Sequence, residues 1–248
     1  MLGACSSSKD KPDQTKNWSA ERMYSEAKSL LDQGSWEKAA KMFESLESRY
    51  PYGKFAQQAQ LDIAYAYYKQ DESVSAIAAA DRFVKLHPNH PNVDYAFYLK
   101  GLANFKDDLG LFGQLSGQDL SERDQKAARD AFDTFKELVT RFPDSLYAPD
   151  AAKRMDFLVN SLAANEVHVA RYYLQRGAWV AAVNRAQSTV TNYPRAPAVE
   201  EALAIMVSAY DKLGMNDLRD DTSRVLKSNF PNSRYIAARN GTAWWKLW

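Results

Sequence analysis

Cysteine is almost absent from this chain: one thiol, Cys5, stands among 248 residues. No intramolecular disulfide can staple the fold, so packing alone must hold it. Histidine is nearly as scarce, at three residues, which leaves little for metal ligation or general-base work. An excess of either charge is missing too. Thirty-two basic side chains meet 31 acidic ones for a net of +1, and that balance gives no electrostatic reason to expect nucleic acid. No apolar run reaches the roughly 18 residues that span a bilayer. Glycine and proline number only 10 and 9, and alanine is abundant, so the expectation is an all-helical chain. The surplus is aromatic: 14 Tyr, 11 Phe and 6 Trp, mostly inside segments that read as helix. Either one elongated domain or two compact ones fit this length.

An aromatic or His followed by Pro occurs five times, at Tyr50-Pro51, His87-Pro88, Phe142-Pro143, Tyr193-Pro194 and Phe230-Pro231. Twelve residues before each proline stand Ala39, Ala76, Ala131, Ala182 and Arg219. Twenty-four before stand Ala27, Ala64, Asp119, Ala170 and Val207, and three beyond the four regular anchors come Leu30, Tyr67, Tyr173 and Tyr210. Gly34, Gly177 and Gly214 follow their anchors by seven, where a helix C′ residue needs positive φ. This fixed frame resembles the tetratricopeptide repeat, TPR. In each repeat two antiparallel helices approach at small residues, and Phe43, Leu46, Phe135 and Leu138 fill the groove beside them at i, i+4, i+7 spacing. The proline ends the second helix. One repeat cannot bury its stripe alone. The fold class is therefore all-α, a right-handed α-solenoid of about five TPR repeats.

Successive prolines lie 37, 55, 51 and 37 residues apart, and the two excesses locate irregularities. The first falls between the helices of repeat three, where DDLGLFGQLSGQDLSER (107–123) has the composition of a loop. The second lies between Pro143 and Ala170, with no breaker from Asp150 to Arg176. It adds close to four helical turns and reads as one long helix or two collinear ones. The expected organisation is a tether over 1–17, TPR repeats 1–3 over 18–145 and a long connecting helix over 146–176. Repeats 4–5 and an aromatic tail, WWKLW, occupy 166–248. The long helix is the expected spacer between two binding surfaces.

Candidate chemistry is thin. His87 and His90 in HPNHPN flank prolines in a repeat-ending turn with no third ligand, so no metal site is expected. Asp107-Asp108 and Asp220-Asp221 lack the apolar setting that raises a carboxyl pKa. No phosphate loop, G-x-S-x-G elbow or H-E-x-x-H occurs, and no nucleophile–base pair is evident. The chain reads as a non-enzyme without cofactors.

Aromatic residues are the better candidates. Tyr67 is a frame position and reads as core. Tyr65 and Tyr68 cannot both share its face, so one looks into the concave groove, with Phe55 upstream. Tyrosine combines apolar area with a hydroxyl and suits a surface that takes an extended peptide, although packing between repeats accounts for these residues equally well. In ARYYLQRGAWVAAVNRA (170–186), Trp179 staples a turn bracketed by Arg176 and Arg185, and Arg is enriched at interfaces. The WWKLW end reads either as a cap or as a docking segment.

At the N-terminus, Leu2-Gly3-Ala4-Cys5 resembles a bacterial lipobox, with Ser6 to Lys16 as a polar tether. The basic and apolar regions that precede such a box are missing, so Met1 reads as an artificial or mis-set start and the chain as written as soluble and unlipidated. RYPYGKFAQQAQLDIAYAYYK (49–69), HPNHPNVDYAFYLKGL (87–102), RDQKAARDAF (123–132) and YYLQRGAWVAAVNR (172–185) are similar to the BamD (ComL-like) family. These are outer-membrane lipoproteins of the β-barrel assembly machinery. The likeness runs from Trp18 to Pro194 and thins beyond.

The resemblance implies a non-catalytic TPR scaffold on the periplasmic face of the outer membrane, lipid-anchored through Cys5. It implies a partner surface at Arg176, Trp179, Asn184 and Arg185 for a periplasmic domain of the barrel-forming subunit. It also implies a groove at Tyr50, Phe55, Tyr65 and Tyr68 for C-terminal signals of unfolded outer-membrane proteins. Accessory outer-membrane lipoproteins are further expected partners, and nucleic acid is not. The competing reading is a periplasmic TPR protein that binds peptidoglycan or a cell-envelope or division complex.

Overall fold

The computed structural model describes residues 15–109 and 125–237, without the side chains of 106–109 and 237. Its regular elements there are all helices: α1 (Ala20–Asp32), α2 (Trp36–Arg49), α3 (Lys54–Lys69), α4 (Ser73–Leu86) and α5 (Val93–Leu109), then α6 (Lys126–Arg141), α7 (Ala148–Gln175), α8 (Trp179–Asn192), α9 (Val199–Lys212), α10 (Asn216–Asn229) and the single turn α11 (Arg234–Ala237). Cys5, most of segment 107–123 and the WWKLW end lie outside the described residues. Residues 107–109 of the segment read as a loop belong to the end of α5, which meets no breaker before Gly110. Packing divides the chain into two compact units, Met1–Leu99 and Lys100–Trp248. The boundary falls inside α5, ahead of the 145–146 junction read from spacing. In the first unit, Ala96 packs with Leu61 and Phe83, and Leu99 with Ala64 and Ala80.

The described turns inside the hairpins share one geometry. After α1, the N–H of Gly34 donates to the Leu31 carbonyl at 3.1 Å and that of Ser35 to Leu30 at 2.9 Å. This paired closure satisfies carbonyls that the helix end would leave open. The same two bonds close α7 at Gly177 and Ala178, and α9 at Gly214 and Met215. The three glycines have φ of 76°, 75° and 71°. At α3 the equivalent residue is Asp71, φ 64°, with its N–H to Tyr68 and that of Glu72 to Tyr67. Aspartate is among the few residues besides glycine that tolerate this region. The seven-residue offset from the anchor alanine therefore holds at 71 even though glycine is absent.

Second helices end alike too. Tyr50, His87, Phe142, Tyr193 and Phe230 each leave the helix with φ between −128° and −132°. Each donates its N–H back four residues at 2.8–2.9 Å. The proline that follows pushes its predecessor out of the helical region and offers no donor of its own.

Within the pairs, Ala27, Ala39, Ala64, Ala131, Ala170 and Ala182 are wholly buried. Larger buried side chains, such as Phe43, Leu46, Phe83 and Leu138, pack around them. The last pair departs from this rule. Arg219 replaces alanine and is held by Asp211 at 3.1 Å, Asp220 at 2.9 Å and Asn216 at 2.9 Å. Only Leu226 of α10 is buried. A polar outer face of this kind suits the end of a repeat array.

α7 is a single 28-residue helix, about 42 Å long. It packs on both α6 and α8. Ala148, Ala151 and Leu158 are buried along its first half, and Val167, Ala170 and Leu174 in the cluster shared with α8 and α9. Upstream, α5 and α6 meet at Gly101, where a Cβ would lie 2.4 Å from the Phe135 ring. Phe135 is fully buried and cannot swing away. Gly101→Ala gains up to ~1 kcal/mol of helix propensity but overpacks by about 1–3 kcal/mol. We expect a net loss near 1 kcal/mol, read as a lower urea midpoint at unchanged m.

Candidate functional site

A cleft of about 620 Å³ runs along α1 and the start of α3. Glu21, Ser25, Lys28, Ser29 and Asp32 recur at three- and four-residue spacing and form its wall, as residues on one helical face must. Tyr24 and Phe55 supply an aromatic floor, their rings 5.5 Å apart. Beneath lies Asp62 of α3, with its side chain only 7% exposed. The Tyr24 hydroxyl donates to its Oδ2 at 2.8 Å, and the Lys28 ammonium to Oδ1 at 3.4 Å. Burial raises the Asp62 carboxyl pKa above its ordinary 3.8; the hydrogen bond from Tyr24 and the Lys28 charge oppose the rise without cancelling it. Burial, then the neighbouring carboxylate, pushes the Tyr24 phenol up as well, so it stays a donor. Lys28, 42% exposed, is thus held at the cleft mouth with its charge partly balanced from below.

Of the four aromatics named for a groove, only Phe55 lines this cleft. Tyr50 is half-buried at the end of α2, and its hydroxyl donates to the Trp18 carbonyl at 2.8 Å. Tyr65 meets the Trp36 ring edge-on at 6.2 Å and packs between two core clusters. Tyr68 packs against Ala64, Ala80 and Leu99. Spacing along the sequence does not mark Tyr24 and Lys28 as cleft residues: they lie at i, i+4, but their partner Asp62 is 38 and 34 residues away.

In the second unit the turn between α7 and α8 carries the other named residues. Arg176 is exposed, with its guanidinium 5.1 Å over the Tyr172 ring. The Trp179 indole lies against Gly177, where a Cβ would sit 3.5 Å from the ring; Trp36 covers Gly34 in the same way. Asn184 is exposed on α8, one turn beyond Val180, which is 58% exposed. Tyr172, 49% exposed, also joins this surface without having been singled out. Arg185 differs from its neighbours. Its guanidinium donates to the buried Glu166 of α7 at 3.1 Å, so it neutralises an interior carboxylate. Elsewhere in the unit, a cleft of about 550 Å³ between α7, α9 and α11 is bridged by Arg171 and Glu201 at 2.6 Å, with the Tyr235 hydroxyl on Glu201 at 3.1 Å.

The two turn histidines are engaged locally. His87 Nε2 lies 2.9 Å from Gln60 Oε1, and His90 Nδ1 accepts the Asn92 N–H at 3.1 Å. Burial, and next His87, lowers the His90 pKa. No helix among the described residues is long and apolar enough to cross a membrane.

A family model described as outer membrane lipoprotein, YfiO, matches residues 16–226. The chain belongs to the YfiO family of outer-membrane lipoproteins. The match runs well past Pro194, where the recognised likeness thinned; it takes in α9 and most of α10, whose polar sequence and Arg219 obscure the repeat. Among YfiO-like relatives, the outer membrane protein assembly factor BamD of Neisseria meningitidis serogroup A is 49% identical over 253 residues, covering 100% of this chain and 95% of its own. The Vibrio cholerae protein of the same name is 38% identical, covering 92% and 94%. That of Haemophilus influenzae is 32% identical, covering 92% and 86%. A solved TPR-like structure, a kinesin light chain from Podospora anserina, aligns over 86% of this chain and 96% of its own at 14% identity and a TM-score of 0.36, too weak a likeness to add to the fold.

The Asp62 carboxyl makes stability depend on pH. Its folded pKa is raised, so the folded state holds the proton more tightly than the unfolded chain, and stability falls as pH rises from 3.8 through the raised value. Asp62→Asn removes that dependence. Urea midpoints of the two proteins should converge at pH 3, and the parent should lose ground to the variant by pH 7.

Proposed function

We propose that this chain is a non-catalytic, lipid-anchored periplasmic scaffold for assembling outer-membrane proteins. Its α1 cleft takes the C-terminal signals of unfolded outer-membrane proteins, and its α7–α8 turn docks a periplasmic domain of the barrel-forming subunit. Accessory outer-membrane lipoproteins join the same assembly. Cys5 carries the acyl chains, and because one chain anchors only marginally while several anchor stably, the multiple chains of a lipoprotein suit this role.

The observation that carries the reading is the chemistry of the α1 cleft, taken with the names of the YfiO-like relatives. Two aromatic rings offer apolar area to the side chains of an extended peptide. Ser25 and Ser29 on the wall supply hydroxyls for its main chain. Lys28, fixed by Asp62, presents ammonium donors to peptide carbonyls or a chain end. Binding of this kind needs no bond-breaking step; the cleft holds a chain that would otherwise aggregate, and folding of the barrel drives release. At the α7–α8 turn, Arg176 with Tyr172 and Trp179 combines a cation with aromatic area, the composition that dominates binding energy at protein interfaces.

Phe55→Ala should weaken an aromatic-ended peptide from an outer-membrane protein about tenfold or more in fluorescence anisotropy, with Tyr68→Ala far less costly. Equal losses from both would sink the cleft assignment. For the partner surface, Arg176→Gln should reduce capture of the barrel-forming subunit while stability changes by less than about 1 kcal/mol. Arg185→Glu should behave differently, since it sets a second carboxylate on buried Glu166. We expect it to lose about 2 kcal/mol of stability, reduced from the fully buried case because Arg185 is half exposed. Pull-down and denaturant titration on the same two variants separate these effects.

A further inference from the structure

We propose that one edge of the first unit, the edge bearing the turns after α2 and α4, is a membrane-facing surface that rests on anionic lipid headgroups. Consecutive antiparallel helices put the start of α1, residues 50–53 and residues 87–92 at the same end of the unit. The bond from Tyr50 to the Trp18 carbonyl joins the first two of these directly. Counted three residues into each flanking helix, this edge spans 15–22, 47–56 and 84–95 and carries Lys16, Arg22, Arg49, Lys54 and Lys85 against Glu21, Glu47 and Asp94. The opposite end, counted alike over 30–38 and 67–75, carries Lys38 and Lys69 against Asp32, Glu37, Asp71 and Glu72. In a chain of net charge +1, one end of the unit is thus net basic and the other net acidic. The basic end has the sign an anionic bilayer attracts.

Two further observations favour a lipid surface over an acidic protein. Tyr52 projects from the α2–α3 turn with 91% of its area exposed, and Leu86 at the end of α4 is 53% exposed. A tyrosine beside lysines is the composition of an interfacial anchor, with its ring at headgroup depth and its hydroxyl in water. The polypeptide leading to Cys5 also departs from this edge. Arg49 donates to the Thr15 carbonyl and to Thr15 Oγ1, the latter at 3.3 Å. Thr15 follows Cys5 by ten positions, so an acylated Cys5 keeps the edge within about 35 Å of the bilayer. The inference borrows from the proposed function only the acylation of Cys5.

The test uses the full chain carrying Cys5→Ser, which no acyl group can anchor. It is sedimented with vesicles of phosphatidylethanolamine containing about a third phosphatidylglycerol, and with phosphatidylcholine vesicles. We expect binding to the anionic vesicles at low salt, loss of it as salt shortens the screening length, and little on the neutral ones. Combined Lys16→Gln, Lys54→Gln and Lys85→Gln should lower partitioning about a hundredfold with an unchanged urea midpoint, since all three side chains are exposed. Tyr52→Ser alone should lower it several-fold. Equal partitioning onto both vesicle types, or a triple variant that binds like its parent, overturns the proposal. So does a triple variant that keeps vesicle binding but loses the barrel-forming subunit, since the edge is then a protein interface. Because the Cys5→Ser chain has no anchor, none of these failures bears on whether native Cys5 is acylated; mass spectrometry of the native protein decides that separately.

Discussion

Close approach of paired helices at alanine is the constraint on which the rest of this molecule depends. Ala27, Ala39, Ala64, Ala131, Ala170 and Ala182 bury every atom. A methyl group is the largest side chain those crossings admit without forcing the helices apart. With one cysteine in the chain, no covalent link shares the load. The turn geometry and the proline stops then set hairpin length, and hairpin length sets which residues face outward. The α1 cleft exists because Ala27 and Met23 turn inward and leave Ser25, Lys28 and Ser29 on the opposite side.

Among the described residues two carboxylates, Asp62 and Glu166, are buried inside this apolar frame, and they are satisfied differently. Asp62 draws a phenol and an ammonium from α1 and so ties the cleft wall to the helix behind it. Glu166 draws a guanidinium from α8 and ties the long α7 to its partner. A lone buried charge costs several kcal/mol, and a paired one with good hydrogen bonds far less. Each pair therefore fixes one helix's rotation against another more sharply than apolar contact does, because a slipped register would strand the carboxylate.

Much of the fold was legible because the repeat frame is written in residues with strong backbone preferences. Proline after an aromatic marks each second-helix end, and glycine marks three of the four described hairpin turns. The fourth, Asp71, escaped notice because aspartate reaches positive φ at some cost and carries no distinctive signal for it. The binding surfaces were less legible. Whether Tyr65 or Phe55 faces a cleft depends on the tilt of α3 against α1, which spacing along one helix does not record. Arg185, expected on the partner surface, also holds Glu166, and that pairing is invisible along the chain because the two lie 19 residues apart on different helices. In the α10 region the repeat frame is legible from Gly214 and Pro231, but the likeness thins because the frame alanine is Arg219 and the buried stripe has shrunk to Leu226.

The clamp of Arg49 and Tyr50 on residues 15–18 has a mechanical consequence. On the proposed attachment through Cys5, tension on the chain arrives at residues 15–18. There Arg49 and Tyr50 pass part of it straight to the end of α2, so the load does not fall on α1 alone. Peeling α1 from its partner one turn at a time then requires those side-chain bonds to break first.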